Sequence, residues 1–176
     1  QPDLSTLEKA KEYFSCRPNY TLGSDQIDYS NEETGCGFTV EFDKPNNAVC
    51  FVLNYNRPKP FIREGIGEVL EFNKAFPGKF INEETEILED FEPDRYLAGW
   101  ARVNDDFIRE YVGGHDGFGQ AFVSTALVEK AWAWNSMRDA HMDASEEDIF
   151  IAQVMWLRTS TSNAVPFSMW TETIPT

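Results

Sequence analysis

Cys36-Gly37-Phe38-Thr39-Val40-Glu41-Phe42-Asp43 is the stretch whose reading decides the fold. Phe38, Val40 and Phe42 alternate with Thr39, Glu41 and Asp43, so one face is apolar and the other polar. A period of two over eight residues is a strand with one face in solvent, which implies an antiparallel sheet. Upstream, Asn31–Gly35 carries turn chemistry, and Gln26–Ser30 reads as the strand before the turn. Downstream, Lys44-Pro45-Asn46-Asn47 reverses the chain into Ala48–Tyr55. Val49, Cys50, Phe51, Val52 and Leu53 are apolar on both faces of that segment, which predicts an interior strand.

Helical periods surround this hairpin region. Leu4–Cys16 places Leu4, Leu7 and Phe14 on one stripe, with Ser5 and Glu8 at capping-box spacing. Arg57-Pro58-Lys59-Pro60 predicts a stiff linker, followed by a helix over Phe61–Phe76 with Ile62, Ile66, Val69, Leu70 and Phe76 inward. Gly65 and Gly67 each oppose that helix by about 1 kcal/mol relative to Ala. Lys79–Ile81 suits a short strand. Pro93 suits the first turn of a helix to about Val112, and Gly113-Gly114 ends it. A last helix is expected from Ala121 to His141, burying Leu127, Val128, Ala131, Trp134 and Met137. Ile149–Leu157, apolar on both faces, predicts another central strand, and Val165–Thr171 an edge strand because of Pro166. The expected architecture is α+β, one domain over residues 1–176, with an antiparallel sheet of about five strands and helices mainly on one side.

Charge restricts the partners. The 176 residues carry thirty Asp and Glu against fifteen Lys and Arg, a net charge of −15. No Lys or Arg lies between Arg17 and Lys44, Lys79 and Arg95, or Arg138 and Arg158, and each interval holds several acids. Such a surface repels nucleic acid and anionic lipid and attracts basic protein. At 41% hydrophobic and 14% aromatic residues, the chain is too apolar for an acidic disordered tail. Its unbroken apolar runs fall short of the ~20 residues of a membrane span. The start lacks the basic and apolar regions of a secretory signal, and Gln1 in place of Met admits a processed terminus. Cys16, Cys36 and Cys50 form no even disulfide set and no zinc spacing, so reduced thiols in a cytoplasm are expected. Neither a metal nor a cofactor is expected.

Local candidates for chemistry are few. Gly113-Gly114-His115-Asp116-Gly117-Phe118-Gly119 offers a proton shuttle beside a carboxylate, the basis for an alternative reading as a small hydrolase. The same loop also suits a plain connector between helices. Cys36, flanked by Gly35 and Gly37, is either an exposed nucleophile or a small buried residue where a turn becomes a strand. The acids of Glu83–Asp94 match no calcium loop; Ile87, Leu88 and Phe91 interrupt them, as in a surface segment held down by its hydrophobics. Trp132 and Trp134 are two positions apart and cannot share a helix face, so one lies nearer the surface.

Glu33-Thr34-Gly35-Cys36-Gly37-Phe38 and Phe51-Val52-Leu53-Asn54-Tyr55-Asn56-Arg57-Pro58 are similar to phrases in a group of little-characterised bacterial proteins. Gly99-Trp100, Trp132-Ala133-Trp134-Asn135 and Trp156-Leu157-Arg158 extend the similarity over most of the chain. In size, acidity and absence of a catalytic signature the chain also resembles the immunity proteins of bacterial toxin systems. That resemblance implies a non-enzymatic binding protein, an antitoxin that masks the basic active-site surface of a nuclease-like toxin. The residues expected to meet the partner are Glu83, Glu84, Glu86, Glu89 and Asp90, with Trp132 as an aromatic anchor.

Overall fold

A computed structural model describes residues 4–24, 26–82, 87–114, 123–145, 149–161 and 163–169. The elements run α1 (Leu4–Ser15), β1 (Tyr20–Leu22), β2 (Gln26–Asn31), β3 (Cys36–Asp43), β4 (Ala48–Val52), α2 (Lys59–Ala75), β5 (Phe80–Asn82), β6 (Ile87–Glu89), α3 (Pro93–Gly114), α4 (Thr125–Asp143), β7 (Met155–Arg158) and β8 (Ala164–Phe167). The class is α+β. Where one domain was expected, the chain's contacts fall into two compact units, Gln1–Tyr111 and Val112–Thr176.

The first unit is built on a four-stranded antiparallel sheet in the order β1-β2-β3-β4. The alternation in β3 is realised: Cys36, Phe38 and Val40 are buried and Glu41 is exposed. Pairing of Ile27 with Val40 and of Tyr29 with Phe38 sets the β2 side chains beside them. Ala10 and Phe14 of α1 and Phe72 of α2 close this core. Its centre is aromatic, with Phe14 stacked on Phe72 at 5.3 Å and Tyr29 on Phe38 at 4.5 Å. Such offset ring pairs add to simple area burial. The β2–β3 turn is held by Asn31, whose Oδ1 accepts from the Glu33 amide at 3.0 Å. Gly35 closes that turn at φ +71°, a conformation that favours glycine.

Several expectations need correction. Ala48–Tyr55 is not an interior strand: β4 is an edge of the sheet and ends at Val52. Its apolar residues have another use. Val49 and Phe51 pack on the sheet core, while Leu53, beyond the strand, joins a second cluster with Ile62, Ile66 and Trp100. α2 begins at Lys59, inside the expected linker, because Pro60 lacks the N–H that the first helical turn leaves unbonded. Its inward stripe runs through Ile62, Ile66, Val69 and Phe72. On α3, Trp100 and Asn104 are buried one turn apart. Asn104 Nδ2 donates to the carbonyls of Tyr55 and Arg57, tying the segment after β4 to the helix.

In the second unit, Ser124 caps α4, its Oγ accepting from the Leu127 amide at 3.3 Å. The face α4 buries is only in part the expected apolar one, Ala131 being the residue of it that is buried. Ala131, Asn135 and Arg138 are buried, whereas Leu127, Trp134 and Met137 are exposed. Nor is Ile149–Leu157 a central strand. Only Met155–Arg158 is extended into a strand, paired with Ala164–Phe167 in a two-stranded hairpin. The preceding backbone bonds to side chains of α4: Trp134 Nε1 donates to Ala152 O at 2.9 Å and Arg138 Nε to Ile151 O at 2.8 Å. An apolar run by itself does not separate a central strand from an extended segment laid along a helix. Among the described residues the expected sheet of about five strands is therefore a sheet of four, with two separate hairpins, β5–β6 and β7–β8.

Candidate binding surface

Of the acidic segment expected to meet a partner, Glu89 lies in the second strand of the β5–β6 hairpin and Asp90 directly follows it. Phe80 pairs with Glu89, Ile81 with Leu88 and Asn82 with Ile87. Alternation gives this small ribbon two unlike faces. One face is anchored on the first unit. Phe80 stacks on Phe91 at 4.4 Å, and Phe91 lies 5.0 Å from Tyr96 of α3. Glu89 belongs to this face, where it accepts from Arg95 Nη1 and from the Tyr96 hydroxyl. Partial burial, then the charge of Glu89, raises the Tyr96 pKa above its ordinary value.

The other face is open. Ile81 and Leu88 stand opposite each other with 58% and 62% of their surface exposed. Just beyond them Lys79 and Asp90 form an ion pair between the two ends of the ribbon. The expectation that Ile87, Leu88 and Phe91 together hold the segment down is corrected: Phe91 does so, while Ile87 and Leu88 are exposed. The signal was present in the sequence, since Lys79–Asn82 and Ile87–Asp90 flank four residues, three of them acidic, at hairpin spacing.

Of the residues expected to contact a partner, Glu89 is largely covered, at 16% side-chain exposure, and is spent on Arg95. Asp90 is exposed but paired with Lys79. Glu83, Glu84 and Glu86 lie outside the described residues. Trp132, in the second unit, is half-buried on α4, and the more exposed of the two neighbouring tryptophans is Trp134. The structure thus singles out Ile81 and Leu88 as the exposed apolar pair nearest the acidic segment in sequence.

The remaining polar clusters turn inward. Glu64 Oε1 accepts from the Tyr29 hydroxyl at 2.8 Å, Asn31 Nδ2 at 2.8 Å and the Thr34 hydroxyl at 3.1 Å. One turn on, Glu68 Oε2 accepts from Arg17 at 2.7 Å and from the Tyr20 hydroxyl at 2.9 Å. These five donors fasten α2 to the sheet and to the end of α1. Cys36 is buried, and its thiol donates to Phe61 O at 3.6 Å. Burial, then the charge of Glu64, pushes that thiol up to about 12. At neutral pH it is protonated and a poor nucleophile. A cavity of about 10 Å³, roughly one water in size, lies beside it against Arg57, Phe61 and Trp100. His115 and Asp116 lie outside the described residues. Among the described residues, no group of three or more His, Cys, Asp or Glu is placed to hold a metal ion, and no helix is long and apolar enough to cross a membrane.

The class these features define is an α+β protein with an inward-facing polar network and an acidic, partly apolar hairpin on its surface. Comparison with protein-family models, curated proteins and solved structures returned no match.

Proposed function

We propose that the protein is an acidic binding protein of the immunity or antitoxin kind, which neutralises a cognate basic toxin by covering its active-site surface. The observation that carries this reading is the β5–β6 hairpin. Residues 79–95 hold seven carboxylates against two bases, a net charge of −5. Both bases, Lys79 and Arg95, are already paired within the segment. The acids accelerate encounter with a cationic surface, and short-range contacts then hold the complex. A nuclease-like toxin fits because an enzyme that grips phosphates presents basic side chains around its active site. The protein would act in the cytoplasm, where its thiols stay reduced.

The test begins with a pull-down from the native organism's lysate at low and moderate salt, read by mass spectrometry. One basic protein retained stoichiometrically is the expected result. Changing Glu83, Glu84 and Glu86 together to Lys should slow association with it by about tenfold or more at low salt. The difference should shrink as salt rises. Unchanged association kinetics would rule out this surface, and loss of the toxin's inhibition without loss of folding would support it.

A further inference from the structure

We infer that the outward face of the β5–β6 hairpin is an apolar seat, which receives a bulky apolar side chain presented within a basic protein surface. This rests on the binding role proposed above and deepens it by naming what the partner must offer. Ile81 and Leu88 are cross-strand partners, and each keeps more than half of its surface in solvent. An apolar pair directly opposite on two strands makes one continuous patch, with side chains about 5 Å apart. The hairpin's anchoring is supplied by its other face, through Phe80, Phe91 and Tyr96. The exposed pair is therefore not needed to hold the hairpin down.

Charge selects the occupant. The patch adjoins the Lys79–Asp90 ion pair, and the four residues that follow β5 in sequence, Glu83-Glu84-Thr85-Glu86, hold three acids and no base. An acidic or neutral apolar partner would gain nothing from these neighbours, whereas a Leu, Ile or Phe flanked by Lys or Arg meets both. Apolar contact at the centre with charges at the rim is the usual division of labour at protein interfaces. Two-stranded ribbons are marginal alone, so covering the open face would also stiffen the hairpin.

The test uses two probes on the full chain, a hexalysine peptide and a six-residue peptide alternating Lys and Leu. Binding is read from the methyl resonances of Ile81 and Leu88 and from titration calorimetry at low salt. The Lys/Leu peptide should bind about tenfold more tightly than hexalysine and should shift both methyl sets. The double variant Ile81→Ser with Leu88→Ser should erase that advantage and leave hexalysine binding unchanged. Its circular dichroism should match the parent because both side chains are exposed. Equal affinity for the two peptides, or an advantage that survives the double variant, would overturn the apolar seat while leaving the acidic surface intact. Failure of both peptides to bind at low salt would overturn the binding role together with the seat.

Discussion

Asn135 and Val154 are joined twice. The Asn135 Nδ2 donates to Val154 O at 2.8 Å, and the Val154 amide donates to Asn135 Oδ1 at 2.9 Å. One side-chain amide thus does for this backbone what a neighbouring strand would do. This is why Asn135 and Arg138, and not Leu127, Trp134 and Met137, are buried on α4 together with Ala131: the stripe serves hydrogen bonds as well as packing.

Asn135→Ala should therefore destabilise the second unit by about 2 kcal/mol, since it strips both polar groups of Val154 of these partners. A urea titration followed by tryptophan fluorescence reads the change, and a midpoint equal to the parent's would contradict it. Asn135→Asp should restore little, because the carboxylate can accept from the Val154 amide but cannot donate to its carbonyl.

Arg17 and Glu68, 51 positions apart, should couple more strongly than an ordinary surface pair. Their side chains are 26% and 19% exposed, and the same carboxylate oxygen accepts from Tyr20. A double-mutant cycle with Arg17→Ala and Glu68→Gln should give about 1.5 kcal/mol, above the range of exposed pairs. A value near zero would mean that the Tyr20 bond alone fastens α2 at this point.

Gly65 and Gly67 should respond oppositely to Ala. A methyl at Gly67 meets nothing within 4 Å, so Gly67→Ala should stabilise α2 by up to about 1 kcal/mol. At Gly65 the new carbon would sit 2.8 Å from a Leu53 methyl. Leu53 packs in both apolar clusters of the first unit, so Gly65→Ala should yield no gain and a net loss once it shifts. Melting temperatures of the two variants decide the matter, and a stabilised Gly65→Ala would show that Leu53 moves freely.

Cys36 should leave an alkaline signature. Its thiol is raised from the ordinary 9.0 to about 12, by burial and then by Glu64. Between those values the unfolded chain has released a proton that the folded chain retains. The contribution is thus fully present below pH 9 and lost as pH climbs toward 12. Burial, and then the charges of Glu68 and Glu64 respectively, raise the Tyr20 and Tyr29 pKa values as well, which deepens the same decline above their ordinary 10.0. Denaturation midpoints across pH 8 to 11 should fall, and by less in Cys36→Ala. In native protein at pH 8, a thiol reagent should label exposed Cys16 at once and Cys36 only on unfolding.

What was legible locally followed from side-chain periodicity and turn chemistry. The β3 alternation, the Asn31–Gly35 turn, the reversal before Ala48 and the stripe of α2 each depend on residues a few positions apart. Placement was less legible. Phe51 and Leu53 read alike as apolar residues of one strand, yet one faces the sheet core and the other also meets Trp100's neighbours on α2 and α3. Glu89 and Leu88 exchanged their expected roles for a similar reason: the acid turned inward to Arg95, and the apolar residue stayed outside.

The sequence by itself determined the α+β class, the acidic charge and the turns that join β2 to β3 and β3 to β4, because these follow from composition, turn chemistry and local repeats of two and 3.6 residues. Only the tertiary structure decided which strand became an edge, how the chain divides into two units, and which face of the acidic hairpin is open. Those outcomes depend on competition between distant partners for the same apolar surface and hydrogen bonds, which no local period records.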